Sequence, residues 1–184
     1  MDKINEINAL TKECMVTALL RLMENKSYSN ISITDITNLA GVSRMAYYRN
    51  YKSKDDIFIN HLIDREKSLI SALHGETAKD LKGMILFVSG FFQENAAVIE
   101  AVYSAGLGHK LTDMLGERIY NYFPVAIADS AGKYAVPFYV GAVLAVFKKW
   151  FNHGMVESVE EIYDILCRLI NVEEAMDFLV VPNK

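Results

Sequence analysis

The chain has 184 residues, of which 52% are hydrophobic and 23% are charged, and its formal net charge is −4. This length suits one domain or two small ones, and this composition excludes an intrinsically disordered chain. Prolines occur only at positions 124, 137 and 182, and strict alternation of apolar and polar residues is rare. We therefore expect an all-α fold.

The first predicted helix covers about residues 4–25. Its apolar side chains recur every three or four positions, which predicts one stripe facing the core. The residues of this stripe are Ile7, Leu10, Cys14, Ala18 and Leu22.

A helix-turn-helix is predicted next. Ser32 and Asp35 form a capping-box pattern that opens a second helix. Gly41 ends this helix, since glycine adopts the left-handed conformation without steric cost. Ser43 then caps a third helix over residues 44–50, and two short helices joined by a tight glycine turn form the motif.

The rest of the sequence predicts six further helices and a short C-terminal tail. A fourth helix starts at the Ser53–Asp56 capping pattern and runs to about Leu73. A fifth helix starts at a Thr77–Asp80 cap. The later helices cover about residues 96–104, 109–123, 135–153 and 159–171, and the last of them is capped by Ser158 and Glu161. A loop is predicted at residues 124–133. We expect a helix-turn-helix domain at 1–53 and a helical domain at 54–184.

Several features indicate a cytoplasmic protein. Cys14 and Cys167 have no CxxC partner, which favours reduced thiols. The N-terminal residues carry scattered charges and lack the apolar core of a signal peptide. The uncharged run at residues 134–147 is too short to span a bilayer, which takes about 20 residues. This run predicts a helix buried on nearly all sides.

The charge is unevenly divided. Residues 1–65 hold nine Lys and Arg against eight Asp and Glu, whereas residues 66–184 hold ten against fifteen. Phosphate attraction depends on local charge, so a basic segment in an acidic protein still favours nucleic acid. The segment "AGVSRMAYYRNYKSKDDIF" is such a cluster.

The third helix is the predicted reading element, since a helix-turn-helix presents its second helix to the major groove. Its outward side chains are expected to be Arg44, Met45, Tyr47 and Tyr48, with Ala46 allowing close approach. The guanidinium of Arg44 matches the two acceptors of guanine. The tyrosines offer hydroxyls to phosphates and rings to sugars or thymine methyl groups.

Phosphate contacts are expected at the neighbouring helix starts, where free amides attract anions. Lys54 lies at the start of the fourth helix, and Ser32 and Thr34 lie at the start of the second. The candidate DNA-binding residues are thus Ser32, Thr34, Ser43, Arg44, Met45, Ala46, Tyr47, Tyr48 and Lys54. The alternative is that the motif is pure packing and its basic residues are a solvated face. Tyr51 is expected in the core beside Ile57.

The segment "SITDITNLAGVSRMAYYRNYKSKDDIF", preceded by a long helix, resembles the DNA-binding domain of the TetR family of bacterial transcription regulators over about residues 10–60. The resemblance implies that Tyr48 and Lys54 hold phosphates and that residues 44–47 read bases. "FYVGAVLAVFKKWFNHGMVESVEEI" is similar to the dimerisation region of a TetR subgroup. That subgroup includes regulators of dihydroxyacetone-kinase operons, some of which act through a protein partner.

Three positions depart from the family pattern. Thr37 stands where alanine is usual, Ala46 where a hydroxyl residue is common, and Tyr51 where phenylalanine is usual. These departures bear on the operator sequence more than on the fold.

The resemblance implies that residues beyond about 75 form a dimerising and ligand-sensing domain. The uncharged run independently predicts an interface, with the helices at 135–153 and 159–171 pairing across a two-fold axis. Such a homodimer would read a palindromic operator, its two recognition helices about 34 Å apart.

An apolar cavity for a small apolar or aromatic effector is the other expectation for this half. Its candidate lining residues are Phe87, Phe91, Tyr103, Tyr120, Phe123, Phe147 and Trp150, and the alternative for each is ordinary core packing. A ligand-released repressor is the favoured function. A ligand-independent regulator or activator controlled by a protein partner, or a helical interaction module without DNA binding, is the alternative.

An enzymatic function is not expected. The four histidines, at positions 61, 74, 109 and 153, lack metal-ligand spacing, and the sequence has no phosphate loop or nucleophile elbow. The sequence therefore predicts no metal, cofactor or catalytic residue.

Overall fold

The computed structural model describes residues 3–72, 81–122 and 132–170, and all regular secondary structure in these ranges is helical. The α-helices are α1 (Lys3–Met23), α2 (Ile33–Ala40), α3 (Arg44–Asn50), α4 (Asp55–Ala72), α5 (Leu81–Glu94), α6 (Ala96–Ser104), α7 (Gly108–Tyr122), α8 (Gly132–Asn152) and α9 (Val159–Leu169), with a 3₁₀ turn at Tyr28–Asn30. The all-α prediction is confirmed. The Thr77–Asp80 cap, most of the 124–133 loop and the C-terminal tail lie outside the described ranges.

The chain divides into two compact units. The first comprises Met1–Leu69 with Asn95–Leu111, and the second comprises Ile70–Glu94 with Thr112–Lys184. The first unit therefore includes α6 and the beginning of α7, which the sequence assigns to the other half. The domain boundary after residue 53 stays a prediction.

The predicted caps of the helix-turn-helix are present. The Ser32 hydroxyl accepts from the Asp35 amide at 3.1 Å, and the Asp35 carboxylate accepts from the Ser32 amide at 2.9 Å. Gly41 has φ of 67°, the left-handed conformation. The Ser43 hydroxyl accepts from the Ala46 amide, so α3 begins at the residue predicted. Short polar side chains thus fix both helix starts.

Helix α1 buries a face that includes only part of the predicted stripe, with Ala18 in the core. Helix α1 packs with α2, and Met15 and Leu19 are fully buried, whereas Ile7 and Leu10 are exposed. The stripe prediction was wrong for those two residues, because spacing identifies an apolar face without showing how far its partner helices extend.

The fourth helix begins with half of the predicted capping box. The Asp56 carboxylate accepts from the backbone amides of Lys52 and Ser53, each at 2.8 Å. The Ser53 hydroxyl donates to the same carboxylate at 2.9 Å instead of accepting from the Asp56 amide. The Asp56 carboxylate therefore stabilises the segment that links α3 to α4.

An aromatic cluster forms the core of the second unit, in which α5 packs with α9. Phe92 stacks on Phe147 with ring centroids 5.4 Å apart, and Trp150 meets Phe147 edge-on at 5.9 Å. The Trp150 indole N–H donates to the Glu157 carbonyl at 3.0 Å. This bond fastens the end of α8 to the turn before α9.

The ends of α8 and α9 follow the sequence prediction. Gly154 is left-handed with φ of 77°, two residues after α8 ends. Ser158 and Glu161 form a complete capping box at the start of α9. No helix in the described ranges is long and apolar enough to cross a membrane.

Candidate nucleic-acid interface

The exposed face of α3 carries a cation, an apolar side chain and an aromatic hydroxyl. Arg44 is exposed, Met45 is 71% exposed and Tyr48 is 52% exposed. The Arg44 Nη2 donates to the Tyr48 hydroxyl at 3.3 Å, and its guanidinium carbon lies 6.0 Å from the centroid of that ring. Tyr48 therefore holds Arg44 along the outer face of the helix, where both remain accessible.

Tyr47 does not lie on this face. Its side chain is 0% exposed, with its ring 5.1 Å from that of Tyr48 and 5.7 Å from that of Tyr51. Burial is the main cause that raises the pKa of Tyr47 to about 12. The prediction that Tyr47 points outward was wrong, because a helix of only two turns must bury one side and Tyr47 lies on that side. Tyr51 is in the core, as predicted.

Lys54 directly precedes α4, and its ammonium is bonded inside the protein. Its Nζ donates to the carbonyls of Tyr28 and Ile31, the latter at 2.8 Å, and lies 4.2 Å from the centroid of the Tyr28 ring. Burial lowers the pKa of Lys54. The ammonium thus ties the start of α4 to the 3₁₀ turn, and the phosphate role that the sequence assigns to Lys54 stays a prediction.

The start of α2 carries exposed polar side chains and the negatively charged carboxylate of Asp35. Ser32 and Thr34 are exposed, although the Ser32 hydroxyl is occupied by the cap, and their phosphate role stays a prediction. Lys26 donates to the Asp35 carboxylate at 2.7 Å, and this bond is the main cause that lowers the pKa of Asp35 to about 2. Ser43 is likewise exposed but occupied as a cap, and Ala46 is half-buried.

Sequence reasoning left two basic residues of this surface outside the candidate set. Arg49, in the last turn of α3, and Lys52, just after it, are both exposed. Their position in the same basic cluster as Arg44 could have identified them as candidate DNA-binding residues. They add positive charge at the C-terminal end of α3.

Tyr28, Asp55 and Lys110 form a hydrogen-bonded cluster that the sequence does not predict. Asp55 accepts from the Tyr28 hydroxyl through Oδ1 at 2.5 Å and from Lys110 Nζ through Oδ2 at 2.6 Å. Hydrogen bonds and the positive charge of Lys110 lower the pKa of Asp55 against an opposing effect of burial. Lys110 lies 55 positions from Asp55, so no local pattern links them. This cluster fastens the beginning of α7 to the beginning of α4 within the first unit.

The aromatic residues proposed as effector lining are mostly packed or undescribed. Phe91, Phe147 and Trp150 are buried, and Tyr103 is half-buried. Phe123 lies outside the described ranges, and the side chains of Phe87 and Tyr120 are not described. The three buried rings belong to the hydrophobic core of the second unit. Their role as ligand contacts stays a prediction.

No group of three or more His, Cys, Asp or Glu side chains in the described ranges could hold a metal ion. The geometry instead offers hydrogen-bond donors, cations and an exposed apolar side chain on one short helix. Such a surface can approach base edges in a groove while the flanking cations meet phosphates.

Comparisons with known proteins give two family matches and three matching chains of solved structures, two of which are given below. Residues 16–60 match the family described as "Bacterial regulatory proteins, tetR family", and residues 79–172 match "Transcriptional regulator C-terminal region" of the TetR type. No curated protein sequence matches the chain.

The two solved structures share the fold. A TetR-family transcriptional regulator from Syntrophomonas wolfei str. Goettingen is 21% identical, with a TM-score of 0.61, over 96% of this chain and 100% of that one. The dihydroxyacetone kinase operon activator DhaS is 15% identical, with a TM-score of 0.58, over 92% of this chain and 98% of that one. At these identities the likeness establishes the fold alone.

Proposed function

Because this chain belongs to the TetR family of bacterial transcriptional regulators, we propose that it binds operator DNA as a homodimer and represses neighbouring genes in the cytoplasm. Proteins of this family are transcription factors and not enzymes. The observation that carries the proposal is the capped helix α3, with Arg44, Met45 and Tyr48 exposed on its outer side.

The chemistry of this face supports a particular division of roles. Arg44 would read guanine through its bidentate donors, and Met45 would meet a thymine methyl group. Tyr48, Arg49 and Lys52 would contact the phosphates on either side. Affinity should therefore fall steeply with salt, since each phosphate contact releases a counterion.

The exposed side of α8 supports the homodimer. Tyr134 and Phe138 are 65% and 67% exposed, and Gly141 and Ala145 continue the same apolar face. An open groove of about 380 Å³, lined mainly by apolar side chains, lies between α8 and α9 beside Trp150. A soluble protein rarely leaves such a face uncovered. Pairing with the same helices of a second copy would bury it.

Release by a small apolar or aromatic molecule is the proposed signal, with the second unit as its receptor. A second candidate function is activation, with control by a protein partner. The similar structure of an operon activator supports that candidate. A reporter gene controlled by the DNA upstream of the regulator's own gene distinguishes repression from activation. Deletion of the regulator should raise reporter expression if it is a repressor and lower it if it is an activator.

Operator binding can be tested by fluorescence anisotropy with the DNA upstream of the gene. Tyr48→Ala and Arg49→Ala should weaken binding to all sequences, and Arg44→Ala should cost about 1–3 kcal/mol mainly at one base position. Tyr47→Phe is the matched control. The Tyr47 side chain is buried, so loss of its hydroxyl should leave the affinity for DNA unchanged. Equal affinity of the parent and the Tyr48 and Arg44 variants would show that α3 is not the reading helix.

A further inference from the structure

The first turn of α7 carries a lysine that reaches the beginning of α4. Lys110 Nζ donates to Asp55 Oδ2 at 2.6 Å, although the two residues lie 55 positions apart. The turn before Lys110 has a defined conformation. Gly106 is left-handed with φ of 76°, and the amide of Leu107, a buried residue, donates to the Val102 carbonyl at 2.9 Å. Lys110 is therefore presented to Asp55 from an ordered helix end.

Asp55 is shared between this lysine and a tyrosine of the 3₁₀ turn. Its other oxygen, Oδ1, accepts from the Tyr28 hydroxyl at 2.5 Å. Burial opposes the charge of Asp55, but hydrogen bonds from Lys110 and Tyr28 hold its pKa below the ordinary value. Burial, followed by the bond to Asp55, raises the pKa of Tyr28, so this hydroxyl keeps its proton. One ionised carboxylate thus joins α7 to the 3₁₀ turn, and both of its bonds are charge-assisted.

The 3₁₀ turn carries this connection to the start of α2. Lys54 Nζ lies 4.2 Å from the centroid of the Tyr28 ring and donates to the Ile31 carbonyl at 2.8 Å. Ile31 directly precedes Ser32, whose side chain caps α2. Helix α2 in turn packs with α3. A contact made by α7 therefore helps to set the position of the helix pair that is proposed to meet DNA.

Lys110 is poorly suited to hold a phosphate itself. Its ammonium is paired with the carboxylate of Asp55, so the pair presents little net charge to a phosphate. A phosphate that approached the ammonium would also be repelled by that carboxylate. The contribution of Lys110 to DNA binding would therefore come from geometry and not from a contact.

We propose that Lys110 is a positioning residue for operator binding, which through Asp55 and Tyr28 holds the starts of α2 and α4 where α3 can enter the major groove. The inference rests on the operator binding proposed above. Without the lysine, fewer molecules hold the helix-turn-helix in the binding arrangement, and the apparent affinity falls by that fraction. A residue of the region that matches the C-terminal family, 79–172, would then control the segment that matches the DNA-binding family, 16–60.

The test is fluorescence anisotropy of the full-length chain with the DNA upstream of its gene, over a series of salt concentrations. Lys110→Met should weaken binding about fivefold at every salt concentration, because the ion pair is lost. The slope of log affinity against log salt should stay that of the parent, since no phosphate contact is removed. Lys110→Arg should restore most of the affinity, because a guanidinium can also donate to Asp55.

The matched control is Lys67→Met, which removes the same charge from an ion pair within α4, that of Lys67 with Asp64 at 3.9 Å. It should bind like the parent. A fall of about one in the salt slope of Lys110→Met would identify Lys110 as a phosphate contact and overturn the proposal. A parent that binds no operator contradicts the proposed function, whereas a binding parent with unchanged affinity in Lys110→Met contradicts only the positioning role.

Two further measurements show whether Lys110 acts through Asp55. The double variant Asp55→Asn with Lys110→Met should bind like Asp55→Asn alone, and additive losses of affinity would overturn the proposal. Without DNA, Lys110→Met should shift the ¹⁵N NMR signals of the Ser32 and Ile33 amides at the start of α2. Unshifted signals, or equal shifts in Lys67→Met, would contradict the connection to α2.

Discussion

Tyr47 and Tyr48 are neighbours in sequence, yet they belong to different parts of the molecule. Tyr47 is fully buried and Tyr48 is half exposed, because consecutive helical residues point about 100° apart. Lys54 shows the same dependence on context, since a lysine in a basic cluster turns inward to two carbonyls. Single side chains therefore acquire their roles from the groups that surround them.

The internal bonds of Lys54 predict an effect on stability in the absence of DNA. Lys54→Met keeps most of the aliphatic stem but leaves the carbonyls of Tyr28 and Ile31 without this donor. The free energy of unfolding should fall by about 1–3 kcal/mol. Urea denaturation followed by circular dichroism measures the change, and Lys52→Met is the control, since its ammonium lies on the surface. Equal stability of the two variants would contradict the proposed bonding.

Asp35 predicts a loss of stability in acid. Its folded pKa is about 2 against an ordinary value of 3.8, so the unfolded chain binds the proton more readily. Its stabilisation is complete above about pH 4 and is lost as the pH falls towards 2. Thermal unfolding of Asp35→Asn should vary less over this range than that of the parent. Lys26→Met, which removes the main cause of the lowered pKa, should make this acid-dependent loss of stability smaller.

At the level of elements, caps and one left-handed glycine define the helix-turn-helix. Gly41 has φ of 67°, and a Cβ placed there would meet no atom within 4 Å. Any cost of a side chain at this position is therefore conformational and not steric crowding by neighbours. The turn sets the angle at which α3 leaves α2, and so the presentation of Arg44 and Tyr48.

Gly41→Ala should lower the free energy of unfolding by about 1 kcal/mol, because alanine is disfavoured at positive φ. Gly41→Asn should cost less, since asparagine enters the left-handed region more readily. Chemical denaturation of both variants gives the comparison. A larger loss for asparagine than for alanine would show that packing, not backbone conformation, controls the turn.

For the whole molecule, the exposed aromatic side of α8 is the feature that a single chain leaves unexplained. Tyr134 and Phe138 lie one turn apart on this helix, and the apolar groove beside α9 lies in the same unit. Burying this surface in a homodimer would bring two copies of α3 to one DNA molecule. Each copy would then read half of a palindromic site.

Phe138→Asp should convert a dimer into a monomer, because it places a charge in an apolar contact. Sedimentation velocity at micromolar concentration measures the state, and operator affinity should fall with it. Ile7→Asp is the control, since Ile7 is also exposed but lies on α1. A parent protein that is monomeric under these conditions would contradict the homodimer.

The sequence by itself determined the helical class, the caps at Ser32, Ser43 and Ser158, and the turn at Gly41. These features are local, since each depends on backbone groups within about four residues. The family resemblance was also available from this segment, and the family matches confirm it. The exposed face of α3 could be predicted only in part, because local spacing does not show which side of a short helix is covered.

Only the tertiary structure decided the burial of Tyr47, the inward bonds of Lys54 and the contact of Lys110 with Asp55. It also showed that Ile7 and Leu10 of the predicted core stripe are exposed, and that Tyr51 lines a polar cleft. Each of these depends on groups distant in sequence, whose meeting is fixed by how the helices pack. Periodicity identifies a face of a helix, but the neighbouring elements decide whether that face is buried.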